Sequence, residues 1–228
     1  MAGYVGRPRS PFFMTFSMNP AFDPACRRCP RLAAFLDAVK LEHSSYYCLP
    51  VPPFGDANAR LIIVGLAPGK HGANRSGRPF TGDHAGILLY ATLFKYGFAS
   101  AAVSRSADDG LQLPNARITN AVKCLPPENK PLPVEIKTCN AFLSAELAQS
   151  RAARVILALG AIAHLAVLRA HKLAPSQYKF AHAAEHDIGE GRVLIDSYHC
   201  SRYNTQTRRL TTPMFEAVVG RARDLIGT

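Results

Sequence analysis

Cysteines are the residues of this chain whose spacing most directly suggests chemistry. Cys26-x-x-Cys29 stands ahead of a helical pattern, and Cys124 and Cys139 are separated by fourteen residues across a Pro-rich stretch. Four thiolates in such an arrangement can take tetrahedral zinc or an iron–sulfur cluster, and spacing alone leaves both open. Cys139 also lies on an apolar helical stripe with Ile136, Leu143 and Leu147, which suits core packing. Cys48 and Cys200 read as packing residues. No secretory leader is legible at the N-terminus, so paired cysteines point to metal or redox chemistry rather than disulfides.

Three polar segments carry the remaining candidates. Gly65-Leu-Ala-Pro-Gly69 runs on to Arg78-Pro-Phe-Thr-Gly-Asp83. Its glycines allow close backbone approach to a ligand. It is not a P-loop, because Gly69-Lys70 is followed by His71 and the spacer from Gly65 is one residue short. Phe80 either pins this loop to the core or stacks on a nucleobase, an interaction worth about 1–3 kcal/mol. Asp83 directly precedes a helical pattern and is either its N-cap or a carboxylate that handles water. Asn120, near the end of an apolar run, must satisfy a donor and an acceptor. It can bond locally to the backbone or pair with the edge of a base. His199 opens a third segment, Tyr198 to Leu210, filled with hydroxyls, amides and guanidinium groups.

These segments need a frame to hold them. Four short runs rich in Ile, Val and Leu read as buried strands: 60–66, 117–122, 154–159 and 192–197. Helical stripes lie at Leu32, Phe35, Leu36 and Val39, and at Ile87, Leu88, Ala91 and Phe94. Another helix starts at Pro133, and Thr212-Pro213 opens a last one as N-cap and first-turn proline. Strands alternating with helices predict an α/β fold with a parallel sheet covered on both faces. Ligands of such sheets bind beyond the carboxyl ends of the strands, and the three polar segments follow three of them.

Composition narrows the partner. The 228 residues suffice for a single domain over 21–228, with residues 1–20 as a loose arm in which Met14 or Met18 could be the true start. No apolar run is long enough to span a bilayer. Lys and Arg outnumber Asp and Glu by 27 to 16, a net charge of +11. That excess suits a polyanion, and its clustering at Lys70, Arg75, Arg78, Arg202, Arg208 and Arg209 suits phosphate contacts. Ser201 belongs to the same candidate DNA-contacting set.

Together the motifs resemble the uracil-DNA glycosylase superfamily, most closely its family 5, the type-b enzymes that contain an iron–sulfur cluster. The resemblance is carried by 65–83, by Ile118-Thr-Asn-Ala-Val-Lys-Cys124 and by 198–211, and it spans Cys26 to the C-terminal helix. It implies a three-layer α/β/α sandwich around a four-stranded parallel sheet. It implies a [4Fe–4S] cluster on Cys26, Cys29, Cys124 and Cys139, with zinc as the alternative. It further implies base stacking on Phe80, base contact by Asn120, and His199 beside the carbonyl oxygen of a flipped base, with the backbone of Gly65 and Ala67 lining the pocket. One departure is Cys200, where the third motif often has proline.

The expected activity is therefore hydrolysis of the N-glycosidic bond of uracil and other deaminated bases in DNA, by a monomer in a prokaryotic cytoplasm. Related enzymes carry a polar residue in the first motif to handle the attacking water, but Leu66 and Ala67 are apolar. That task falls on Asp83, and the apolar pair suggests a less discriminating pocket. The competing reading is a metal-stapled nucleic-acid-binding module without catalysis, which gives no reason for Asn120 and His199 at strand ends.

Overall fold

The branched apolar runs form the parallel centre of a six-stranded sheet in a computed structural model that describes residues 22–227. The arm expected over 1–20 lies outside those residues. The strands are β1 (Phe54–Gly55), β2 (Leu61–Gly65), β3 (Ala116–Asn120), β4 (Val155–Leu159), β5 (Glu185–Asp187) and β6 (Val193–Ser197). Their order across the sheet is β1-β3-β2-β4-β6-β5. The four central strands are the expected ones and are mutually parallel. The sheet has two more strands than expected, because β1 and β5 pair antiparallel along its edges. Two or three residues carry no readable period, and tertiary pairing alone recruits them.

The helices are α1 (Pro30–Glu42), α2 (Ala73–Ser76), α3 (His84–Lys95), α4 (Pro133–Gln149), α5 (Ala161–Ala170), α6 (Arg202–Gln206) and α7 (Thr212–Ile226). The last begins one residue earlier than expected. Thr211 is the N-cap, its side chain accepting from the Met214 N–H, and Pro213 sits in the first turn. Helix α5 had no legible stripe, since AIAHLAVLRA is apolar nearly all round; it buries Ala163, Ala166, Val167 and Leu168 and leaves Ile162 and Leu165 exposed.

Alternation along the strands sorts the core into layers. Leu61, Ile63, Ile118, Val155, Leu157 and Ile195 face α3 and α7. Ile62, Val64, Ile156, Ala158 and Leu194 face α4 and α5. This is the expected three-layer α/β/α arrangement. Leu157 is fully buried, and truncating it to alanine would cost about 2–5 kcal/mol. A third cluster lies to one side, where Leu32, Leu36 and Val39 of α1 meet Val122, Leu125, Cys139 and Phe142. No described helix is long and apolar enough to cross a membrane.

Candidate active site and cysteine cluster

The segments after β2, β3 and β6 converge at the carboxyl end of the sheet, as strand polarity requires. They line a cleft of about 430 Å³ with Leu66, Ala67, Gly69, Phe80, Asp83, Asn120, His199, Ser201 and Arg202 among its walls. Gly65 and Asn120 are paired across β2 and β3, and the pairing continues past the strands through Val122 N–H to the Leu66 carbonyl. A Cβ on Gly65 would overlap Asn120 Oδ1 and lie 2.7 Å from Phe80 Cζ. Glycine here leaves room for the two side chains that form the floor of the cleft.

Phe80 is 7 % exposed, belongs to the core beside α3 and also lines the cleft. The two readings of this residue are compatible. Its backbone is left-handed, with φ +56°, a conformation disfavoured for a bulky residue. The turn is held by Tyr90, whose hydroxyl donates to the Pro79 carbonyl at 2.7 Å. The His199 ring stacks near Phe80, with centroids 5.9 Å apart. Burial lowers the His199 pKa to about 4, so its imidazole is neutral at physiological pH.

Asn120 is buried, and its side-chain amide makes no hydrogen bond to protein among the described residues. The local backbone bond weighed for it is absent there; the amide faces the cleft. Asp83 occupies the N-cap position of α3 by backbone geometry, yet its carboxylate makes no cap bond. It turns instead toward the glycine loop and accepts from the Ala73 N–H at 3.2 Å. A Cβ on Gly69 would lie 2.7 Å from Asp83 Oδ1, and one on Gly72 would overlap it. Burial raises the Asp83 pKa, opposed by that N–H and by Arg75 and His71 nearby.

The basic residues separate into two groups. Arg75, Arg202 and Arg208 are exposed, and Lys70 is partly exposed and paired with Glu42 at 2.7 Å. Arg78 corrects the expectation of a phosphate contact. It is 4 % exposed, stands 2.6 Å from Asp109, donates to Thr81 and lies over the Phe54 ring. It staples the loop from inside. The Ser201 hydroxyl accepts from the Asn204 N–H and caps α6 at the rim of the cleft. Sequence reasoning missed His84, which pairs with Thr205 Oγ1 at 3.0 Å, and Asn129, which reaches the cleft from the loop after β3. Asn129 has φ +56°, and a lone Asn among prolines was the available signal.

Cys26, Cys29, Cys124 and Cys139 are all free thiols against the third core cluster. They approach closely enough that burial, then mutual repulsion, pushes Cys124 up to about 12 and Cys29 up to about 11. Arg31 of α1 holds Glu135 of α4 by two bonds of 2.8 and 2.7 Å, joining the helix that Cys29 caps to the helix that carries Cys139. Sulfur ligands around one tetrahedral zinc sit about 4 Å from one another. No three of these sulfurs lie within 4.8 Å among the described residues, so the donor set fits a wider polynuclear group. Cys200 is fully buried in the main core and its thiol is pushed up to about 12, as suits a packing residue.

A family model described as the uracil DNA glycosylase superfamily matches residues 52–223, and the fold and cleft are those of a member of that class. The type-5 uracil-DNA glycosylase of Thermus thermophilus is 45 % identical over 208 residues, covering 89 % of this chain and 94 % of that protein. The type-5 uracil-DNA glycosylase of Pyrobaculum aerophilum is 42 % identical over 201 residues, covering 86 % and 87 %. That of Mycobacterium tuberculosis is 40 % identical over 210 residues, covering 89 % and 78 %. The chain belongs to the type-5 uracil-DNA glycosylases of this superfamily.

Proposed function

We propose that this chain is a monofunctional glycosylase that hydrolyses the bond between uracil and deoxyribose in DNA, the first step of base excision repair. The observation that carries the reading is the convergence of Asp83, Asn120, Phe80 and His199 on one cleft. The Asn120 amide has no protein partner and opens onto the cleft, and the partly buried Asp83 carboxylate is raised in pKa; a substrate accounts for both. The non-catalytic module leaves them unexplained.

The target nucleotide leaves the stack and its base enters the cleft, at a cost of a few kcal/mol that is least for a mispaired base. Phe80 stacks on the base, and the Asn120 amide reads its edge with a donor and an acceptor. As the C1′–N1 bond breaks, its electron pair goes to the base and charge gathers on the carbonyl oxygen O2. His199, neutral because it is buried, donates a hydrogen bond to that oxygen, assisted by N–H groups of the 65–69 loop. Water bonds to C1′ and passes a proton to the Asp83 carboxylate. The apolar Leu66 and Ala67 wall makes few demands on substituents. Hydroxymethyluracil, ethenocytosine and hypoxanthine are therefore further substrates.

Cys26, Cys29, Cys124 and Cys139 would hold a [4Fe–4S] cluster. Its role when bound is structural, since hydrolysis moves no electrons between centres. The protein acts as a monomeric single domain in the cytoplasm of a prokaryote, and Lys70, Arg75, Ser201, Arg202 and Arg208 contact DNA around the cleft. Incubation with duplex DNA containing one uracil should leave an alkali-labile site at that position. Intact DNA after incubation with folded, iron-loaded protein would overturn the reading.

A further inference from the structure

Away from the cleft, three ionisable side chains meet on the opposite face of β6. Asp196 is fully buried there. Its Oδ1 lies 2.8 Å from His164 Nδ1 of α5, and its Oδ2 lies 3.1 Å from His186 Nε2 of β5. The ligand atoms of all three residues lie within 4.8 Å of one another. We propose that His164, His186 and Asp196 form a site for one zinc-class divalent cation, separate from the cysteines.

Hydrogen-bond inventory supports this. His164 Nε2 is 3.0 Å from the Tyr178 carbonyl, which only accepts, so this nitrogen carries the hydrogen. In a neutral ring Nδ1 then presents a lone pair to the Asp196 carboxylate. Two facing lone pairs require a positive centre between them: a proton, on the ring or the carboxyl, spans 2.8 Å, and a tetrahedral zinc in its place would widen the gap to about 3.3 Å. No Lys or Arg pairs with Asp196 among the described residues, so the two imidazoles are its neutralising partners. A metal-bound imidazole characteristically donates its other N–H to a carbonyl, as His164 does.

Ring geometry agrees. Two imidazoles bound to one tetrahedral zinc at about 2.1 Å have centroids roughly 5 Å apart. The His164 and His186 centroids are 5.4 Å apart, with planes inclined at 66°. Two nitrogens and one carboxylate oxygen, with a fourth position for water, suit zinc better than calcium or magnesium. His186 is 14 % exposed on an edge strand, which gives an ion a route in. The bound ion would tie β5 and α5 to β6, three residues before His199. The same crossing segment supplies His182, whose Nδ1 accepts from the Tyr198 N–H at 3.2 Å. The ion would thus brace the strand end that presents His199.

Protein purified with its cysteine cluster intact, then dialysed against EDTA, should take up one zinc per chain and gain several degrees in Tm. Cobalt(II) in the same site should give a d–d spectrum without thiolate charge transfer. Asp196→Asn should abolish uptake, as should His186→Ala, placed at a partly exposed edge where folding is least at risk. Absence of saturable zinc uptake by the folded wild type would overturn the proposal, leaving a proton between His164 and Asp196. Uptake unchanged in His186→Ala, or a cobalt spectrum dominated by thiolate bands, would overturn it as well.

Discussion

The Asp83 carboxylate fills the space that a side chain on Gly72 would occupy, with Oδ1 and Oδ2 both inside contact distance of a Cβ built there. The glycine-rich loop is thus shaped around a partly buried carboxylate. Replacing Gly72 with alanine must move one of the two. We expect Gly72→Ala to lower the single-turnover rate about 10–100-fold, with overpacking costing about 1–3 kcal/mol in urea unfolding. A variant with wild-type rate would show that the position of Asp83 does not matter.

Asp83→Asn should reduce the single-turnover rate by about 10²–10⁴, the range for loss of a general base. Its stability should hold or rise. Burial raises the folded pKa of Asp83, so the folded state binds that proton more tightly than the unfolded chain. This contribution to stability is present at low pH and is lost as pH rises through the folded pKa. At neutral pH the buried charge is a cost that asparagine removes. Differential scanning calorimetry on both proteins checks this.

The pH–rate profile should have an acid limb set by Asp83, whose pKa burial raises from its ordinary value. Burial lowers the His199 pKa from 6.5 to about 4, so its imidazole is neutral at physiological pH. Its own linkage has the opposite sign: it favours the fold above pH 6.5 and loses that contribution as pH falls through about 4. Asp83→Asn should flatten the limb in single-turnover assays, whereas His199→Gln should lower the plateau and leave the limb.

Asn120→Ala should cost about 100-fold in kcat/KM on uracil DNA while changing Tm little. The amide makes no bond to protein, so its removal orphans no partner. A large fall in Tm would assign it a structural role.

Arg78 and Arg202 should separate stability from DNA binding. Arg78→Ala removes a buried guanidinium with its bond to Thr81, its packing over Phe54 and its pairing with the surface carboxylate of Asp109, and should cost about 1–3 kcal/mol in unfolding free energy. Arg202→Ala, at the exposed rim, should leave stability intact and reduce the slope of log K against log salt by about one. Fluorescence anisotropy with DNA at graded salt distinguishes them.

Much of this protein was legible without coordinates. Period and composition marked β2, β3, β4 and β6, because strands buried on both faces are continuous runs of branched residues. Strand polarity then placed the three polar segments on one side of the sheet. Edge strands β1 and β5 and helix α5 were not legible, since two or three residues show no alternation and an all-round apolar helix shows no stripe. The cysteine spacing marked a candidate metal centre but could not measure the distances between sulfurs.

Residue types and their order were enough to nominate Asn120 and His199, because a polar group at the end of a buried strand demands a partner, and Asp83, because it is a carboxylate directly preceding a helix at the end of a glycine-rich loop. Whether each finds that partner within the protein is a question of three-dimensional neighbours. Only the tertiary structure turns Asp83 off its cap and leaves the Asn120 amide unbonded. It also withdraws Arg78 from the DNA surface into a pair with Asp109, and brings His164, His186 and Asp196 together from three separate elements. Each outcome depends on which distant atoms share the space, and local sequence does not carry that information.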